Sequence, residues 1–226
     1  MCSLCEQEYH GVVRCALGWA CWKTYLGRPE TDWPRRFAMS QLGNGLHGAK
    51  HYEDALTVRE TELSLARRLG SDEEDMLVTQ TNLASTYHFI GRPEEALSMR
   101  QEVYSGNLKL NGEEHQSTLI AAGNLADSLG HQRHYEEARS LLRKSIPVAR
   151  RVLGESHDLT LRMRWCYAQA LSRDPIATLD NLRAAATTLE DVERTARRVM
   201  GGAHPTTEGI KKELRDVRAA LDARKT

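Results

Sequence analysis

Aromatic residues are scarce in this chain of 226 residues, which has only two Phe and four Trp. This scarcity suits an array of stacked units, because each unit buries only the faces that meet its neighbours. No run of alternating β-branched residues occurs, so we expect essentially no sheet. Lys plus Arg equals Asp plus Glu, so the formal net charge is zero. A general nucleic-acid binder needs surplus cations, and so does a protein held on membranes by charge. We therefore expect neither kind of partner.

Long apolar segments are also missing, since none reaches the roughly 18 residues that a membrane span requires. Near the start, the apolar stretch 15–22 follows Glu6 and Glu8 rather than a basic segment, which makes it a poor signal peptide. The five cysteines are unevenly placed: Cys2, Cys5, Cys15, Cys21 and Cys166. A secreted disulfide scaffold would spread them through its core. We therefore predict a reducing, cytoplasmic location.

Three segments of the chain repeat the same pattern. The first contains Gln41-Leu-Gly-Asn-Gly-Leu and His51-Tyr-Glu-Asp-Ala-Leu, the second Asn82-Leu-Ala-Ser-Thr-Tyr and Arg92-Pro-Glu-Glu-Ala-Leu, and the third Asn124-Leu-Ala-Asp-Ser-Leu and His134-Tyr-Glu-Glu-Ala-Arg. Gly70, Gly112 and Gly154 follow these segments at intervals of 42 residues. A fourth, more divergent unit is longer around Asp174-Pro175. Such a fixed period is the signature of a repeat architecture.

Each unit reads as two helices, A and B, joined by a short turn. Apolar residues at i, i+1 and i+4 give helix A one buried face, and Glu-Glu in the first turn of helix B complements its dipole. The glycine after helix B favours a C′ position in the left-handed αL conformation. We predict an all-α, right-handed solenoid of about 42-residue helix-turn-helix repeats. Its segments are a Cys-rich region 1–34, four repeats over 35–206 (35–76, 77–117, 118–159 and 160–206) and a capping helix 207–226.

The repeats resemble the tetratricopeptide repeats of kinesin light chains. The matching pieces are Asn82-Leu83-Ala84, Tyr135-Glu136-Glu137-Ala138, Leu153-Gly154-Glu155-Ser156-His157 and Gly201-Gly202-Ala203-His204-Pro205. The family's N-terminal heptad region, which would pair with the motor chain, is absent, so the resemblance implies peptide binding but not motor attachment. Two departures are Pro147, which should kink or shorten its helix, and the glycines Gly43 and Gly45 inside helix A.

The resemblance also implies a concave groove lined by the A helices. The groove positions are Gln41, Asn44, Asn82, Ser85, Asn124, Asp127, Arg162 and Gln169. Asn82 and Asn124 match groove asparagines of the family, whose amides can donate to and accept from an extended peptide backbone. The alternative is that these asparagines only brace neighbouring helices. The face of Ile210, Leu214, Val217 and Leu221 predicts a helix that covers the last repeat, with a partner-binding or self-pairing helix as its alternative.

Several patterns have a functional and a structural interpretation. Residues 43–48 match G-x-G-x-x-G, but that motif needs a strand before it and a helix opening after it, and here it falls within helix A. His115, His157 and His204 recur after the repeat glycines, too far apart to share one metal ion, so we interpret them as loop residues. No spacing brings a nucleophile and a base together, and we predict that the protein is not an enzyme.

The pair Cys2-x-x-Cys5 is the one candidate metal site, because such a knuckle offers two thiolates to tetrahedral zinc. It resembles the end of a RING- or MYND-like zinc finger whose earlier ligands are missing, and the alternative is that the cysteines bind nothing. Apart from this zinc, we expect no cofactor and no small-molecule ligand. The predicted function is a protein-interaction adaptor that binds an extended peptide. The alternatives are the substrate-recognition part of a ubiquitin-ligase-like zinc-finger protein and a purely structural spacer.

Overall fold

The structure is a computed structural model that describes residues 11–224. These residues form ten helices and no strand. The helices are α1 (Gly11–Tyr25), α2 (Trp33–Gly48), α3 (Tyr52–Leu69), α4 (Glu73–Phe89), α5 (Pro93–Asn111), α6 (Gln116–His131), α7 (Tyr135–Leu153), α8 (Asp158–Ser172), α9 (Leu179–Met200) and α10 (Pro205–Ala223). The predicted all-α fold of tandem helical hairpins is confirmed. None of these helices is long and apolar enough to cross a membrane.

The helices group into two compact units, and the division falls inside α5, between Gly106 and Asn107. In the first unit, α1 packs on α2, α2 on α3 and α3 on α4. In the second unit, α6 to α10 pack in chain order, and α6 also contacts α8. Helix A of the successive hairpins is α2, α4, α6 and α8, and helix B is α3, α5, α7 and α9. Sequential contacts of this kind are what a repeat array requires.

The hairpin turns share one backbone geometry. After α2, α4 and α6, the chain passes through a left-handed residue, which is Lys50, Gly91 or Arg133. The N–H of the next residue then donates to a carbonyl five positions earlier, as from Arg92 to Tyr87 at 2.9 Å. This is the Schellman motif, which satisfies carbonyls that the helix end leaves free.

One detail of the prediction was wrong, and another was wrong in one of its two alternatives. Gly70 is left-handed as expected, but Gly154 has φ 96° and ψ 160°, a conformation that is essentially open to glycine alone. Gly154 therefore requires glycine without forming an αL cap. Pro147 does not shorten its helix, because α7 continues through it to Leu153. The G-x-G-x-x-G segment lies wholly inside α2, which removes the free N–H groups that a phosphate would need.

Glycines explain why α1 belongs to the first unit. A Cβ on Gly18 of α1 would lie 2.8 Å from the carbonyl oxygen of Gln41. Reciprocally, a Cβ on Gly45 of α2 would lie 2.7 Å from the carbonyl oxygen of Arg14. Each helix therefore uses a glycine to admit the backbone of the other. Cys15 and Trp22 of α1 also pack on the buried cluster of Leu42, Leu46 and Ala55.

The second unit is closed by α10. Ile210, Leu214 and Val217 are buried in one cluster with Leu182 and Leu189 of α9, and Leu221 packs against that cluster while partly exposed. A Cβ on Gly209 would lie 2.7 Å from the indole of Trp165, so the glycine lets α10 approach α8. The apolar face of α10 is therefore buried against the preceding hairpin, as expected of a capping helix.

Candidate protein-binding surface

Helix A begins at a capped residue in each later repeat, and these caps set the register of the surface. The side chain of Asp72 accepts from the N–H of Asp75 at 2.8 Å. Nδ1 of His115, His157 and His204 accepts from the N–H two residues later, at 3.2 to 3.3 Å. The three histidines are therefore N-caps of α6, α8 and α10. A side-chain acceptor at this position satisfies a backbone donor that the helix leaves unpaired.

In the first unit, the predicted residues Gln41 and Asn44 lie on α2, and Asn82 and Ser85 lie on α4, all of them half-buried. Asn44 is engaged within the protein, because its Oδ1 accepts from Nη2 of Arg59 at 2.8 Å. Arg59 is only 2% exposed. Burial lowers the pKa of its guanidinium, which is a further sign of its desolvation.

Nε and Nη1 of Arg59 have no hydrogen-bond partner within residues 11–224. Among the described residues, the amide of Asn44 is thus the one side-chain acceptor for the buried guanidinium of Arg59. Asn82 differs, because its side chain forms no hydrogen bond in the described part of the chain; only its backbone oxygen accepts, from Thr86 at 3.2 Å. Two positions predicted to act alike therefore have different environments.

In the second unit, the predicted residues Asn124 and Asp127 lie on α6, and Arg162 and Gln169 lie on α8. Nη2 of Arg162 donates to Oδ1 of Asn124 at 3.3 Å in an exposed contact. Nε2 of Gln169 donates to Oε2 of Glu213 at 3.0 Å. Glu213 is a buried residue of the capping helix, so Gln169 contributes to the seating of α10. The predicted positions Asn124, Arg162 and Gln169 thus all make polar contacts within the protein.

Cys166 is a half-buried residue of α8 that is not among the predicted groove positions. Counted from the N-caps, it stands nine residues after His157, as Asn124 stands nine residues after His115. Arg162 then corresponds to Ile120 rather than to Asn124. Burial raises the pKa of the Cys166 thiol to about 12, and the nearby Asp127 carboxylate acts in the same direction. The thiol therefore stays protonated, unlike the thiolate that a nucleophile or a metal ligand requires.

The zinc candidates Cys2 and Cys5 lie outside the described residues. Cys15 and Cys21 lie on α1, as free thiols that are half-buried. Cys15 packs against the apolar cluster of α2 and α3. In the described part of the chain, Cys15 therefore has a packing role.

Comparisons with known proteins agree with this geometry. The tetratricopeptide repeat matches residues 35–109 and again residues 118–158, together just over half of the chain. No curated protein matches the sequence. Among solved structures, a kinesin-light-chain-type protein of Podosopora anserina with nearly identical TPR-like repeats is similar at a TM-score of 0.70 and 21% identity, over 84% of this chain and 88% of that one.

Two other structures share the fold at 14% identity. BtubC (BKLC) from P. vanneervenii has a TM-score of 0.63 and aligns with 93% of this chain and 91% of its own. A Rap protein, solved in complex with Competence and Sporulation Factor, has a TM-score of 0.56 and aligns with 92% of this chain and 58% of its own. At these identities, the likeness concerns the fold alone.

Proposed function

Because the chain belongs to the tetratricopeptide-repeat family, we propose that it is a protein-interaction adaptor that binds an extended segment of a partner protein. Each unit offers binding residues on its own A helices, which are Gln41, Asn82 and Ser85 in the first unit and Asn124 and Arg162 in the second. No observation on the described residues favours the zinc-finger alternative.

The observation that carries the proposal is the contrast between Asn82 and Asn44. The Asn82 amide retains both a donor and an acceptor for a peptide backbone, whereas the Asn44 amide is engaged with Arg59. A half-buried amide without a partner in its own protein suits an incoming backbone group, since binding then breaks no internal hydrogen bond. The exposed pair of Asn124 and Arg162 can also rearrange at little cost, because exposed polar contacts contribute little to stability.

The Rap protein gives independent support, since it was solved in complex with Competence and Sporulation Factor. The same fold can therefore carry a binding surface for another molecule. The choice of surface in this chain is supported only by the residues described above.

The proposal can be tested with a displayed library of random peptides selected on the intact chain. Asn82→Ala and Asn124→Ala should each weaken the selected peptides, and together by more than about tenfold. This scale follows from hydrogen-bonding groups left unsatisfied at about 1 to 3 kcal/mol each. The melting temperature of Asn82→Ala should change little, because the Asn82 amide makes no internal side-chain bond to lose.

Asn44→Ala is the matched control. It removes the acceptor of a buried guanidinium, so it should lower the stability by about 1 to 3 kcal/mol. Peptides should still bind its folded fraction. If Asn82→Ala instead lowers stability and leaves the affinity of every selected peptide intact, the asparagines are braces and the proposed surface is wrong. Failure to select any peptide would also contradict the proposal.

A further inference from the structure

The first unit contains a cleft between the N-terminal halves of α2 and α4, with α3 beneath it. Its volume is about 140 Å³. We call it the Trp33 cleft, and its principal lining residues are Trp33, Arg36, Phe37, Glu62, Asp75 and Val78. The cleft lies on the same A helices as Gln41 and Asn82, about two turns nearer their N-termini. It is large enough for one side chain, since about 150 Å³ holds a benzene molecule.

The rim of the cleft is apolar and open to solvent. Trp33, Phe37 and Val78 are 66%, 46% and 55% exposed. The rings of Trp33 and Phe37 stack with their centroids 5.2 Å apart and their planes 15° apart. Stacking fixes two aromatic side chains side by side with exposed surface, which costs hydration free energy in the free protein. These three side chains therefore offer an apolar surface on which a side chain of a partner can pack.

The base of the cleft carries one carboxylate without a cation. Asp75 is already neutralised, because Nη2 of Arg36 donates to its Oδ2 at 3.0 Å and also to Oγ of Ser71 at 2.9 Å. Glu62 forms a hydrogen bond with Ser40, but its buried Oε2 has no hydrogen-bond partner. No cation contacts Glu62 within residues 11–224; Arg59 and Arg36 act on it only at longer range.

These features select one class of side chain. An acidic side chain would face Glu62, and a purely apolar one would leave the buried Oε2 without a partner, as it is in the free protein. A lysine has an aliphatic stem that can pack on the rings of Trp33 and Phe37. Its ammonium can lie against an aromatic face and donate to the carboxylate in a charge-assisted hydrogen bond.

We propose that the Trp33 cleft binds a lysine side chain of the partner segment. This inference rests on the proposed function, because it assigns a side chain to the surface that Asn82 serves. Glu62 pairs with the ammonium, and Trp33 and Phe37 hold the stem.

The experiment titrates two small probes into the full chain and follows amide and indole resonances by NMR. The probes are Nα-acetyl-lysine amide and Nα-acetyl-norleucine amide, which share the stem and differ in the ammonium. The lysine probe should shift resonances around the cleft and bind about tenfold more tightly, the scale of one charge-assisted hydrogen bond. Glu62→Gln should remove this preference, and Trp33→Ala should weaken both probes.

Trp19→Ala is the matched control for Trp33, since Trp19 is an exposed tryptophan of α1 outside the cleft. Glu53→Gln is the control for Glu62, since Glu53 is an exposed carboxylate of the same helix. Equal or tighter binding of the norleucine probe would overturn the inference, and so would the absence of shifts around the cleft at tens of millimolar. Neither result requires a partner protein, so the lysine assignment can fail while the peptide-library test still succeeds, and the reverse.

Discussion

At the scale of the residue, Glu62 makes the stability of the protein depend on pH. Burial raises the pKa of its carboxyl, and the longer-range attraction of Arg59, the hydrogen bond from Ser40 and the attraction of Arg36 only partly oppose this effect. The folded state therefore holds the proton more tightly than the unfolded state does. The resulting stabilisation is fully present below the ordinary value of 4.5 and is lost as the pH rises through the folded pKa.

Glu62→Gln isolates this effect, because glutamine is neutral at every pH. The unfolding free energy of the wild type minus that of Glu62→Gln should fall as the pH rises above about 4.5. At neutral pH the variant should be the more stable protein. Urea unfolding of both proteins at a series of pH values measures the difference, with Glu53→Gln as the control for a lost surface carboxylate. A difference that stays constant or grows with pH would contradict the assignment.

The histidines show how far residue-level prediction reaches. Their recurrence after the repeat glycines, 42 and then 47 residues apart, predicts loop residues, and the structure places each of them at the N-cap of a helix. Their capping role depends on one ring nitrogen accepting from the N–H two residues later, as His157 does from Leu159. Histidine is not among the residues preferred at this position, so the pattern gives no sign of the role.

At the scale of the element, the pairing of α1 with α2 is the part of the fold that sequence patterns do not predict. The surfaces that meet are a backbone and a glycine on each side, Gly18 and Gly45. Apolar periodicity cannot reveal such a contact, because the decisive residues have no side chain. Helix propensity alone treats Gly43 and Gly45 as equal defects of about 1 kcal/mol each. In the structure, only Gly45 of these two lies against the backbone of another helix.

The two glycines should therefore respond differently to alanine. In Gly45→Ala, the new Cβ meets the backbone of Arg14 at 2.7 Å, which cannot move without shifting α1, so we expect a loss of about 3 kcal/mol or more. In Gly43→Ala, the nearest atoms are side-chain atoms of Val58 and Arg59 at 3.5 Å. That variant should be neutral or gain up to about 1 kcal/mol from helix propensity. Chemical denaturation of the pair gives the comparison, and equal losses would contradict the close approach of α1.

The turns give a second example at this scale. Three hairpins share one left-handed position, but only Gly91 is the residue that this conformation favours; Lys50 and Arg133 adopt it as well. A glycine-based search therefore finds one turn in three. The 42-residue register finds all of them, because the helices on either side fix where the chain must reverse.

At the scale of the whole molecule, the repeat period predicts the class of fold and the closing role of α10. It does not locate the Trp33 cleft, whose walls come from three helices and whose base is a residue of helix B. Within the fourth repeat, the 42-residue period makes Cys166 the counterpart of Asn124 and Gln169 the counterpart of Asp127, so of the two predicted positions only Arg162 was out of register. The repeat period can thus be predicted from the sequence. A site formed by side chains of several helices cannot, because it depends on how the helices pack.

The repeat architecture also predicts how far the effect of a destabilising substitution in α10 extends along the chain. Each repeat is stabilised by its own core and by contact with its neighbours. Ile210 is fully buried in the cluster that joins α10 to α9, so Ile210→Asp would place an unpaired carboxylate there at a cost of several kcal/mol. We expect α10 to detach and α9 to lose protection against hydrogen exchange, while α2, α3 and α4 keep theirs.

Lys212→Asp is the control, since Lys212 is an exposed residue of the same helix. It introduces the same carboxylate without burying it, and it should leave exchange across α8, α9 and α10 close to that of the wild type. Hydrogen exchange followed by mass spectrometry, helix by helix, distinguishes the outcomes. If Ile210→Asp removes protection from α2 to α4 as strongly as from α9, the chain unfolds as one cooperative block, and stability is not distributed repeat by repeat.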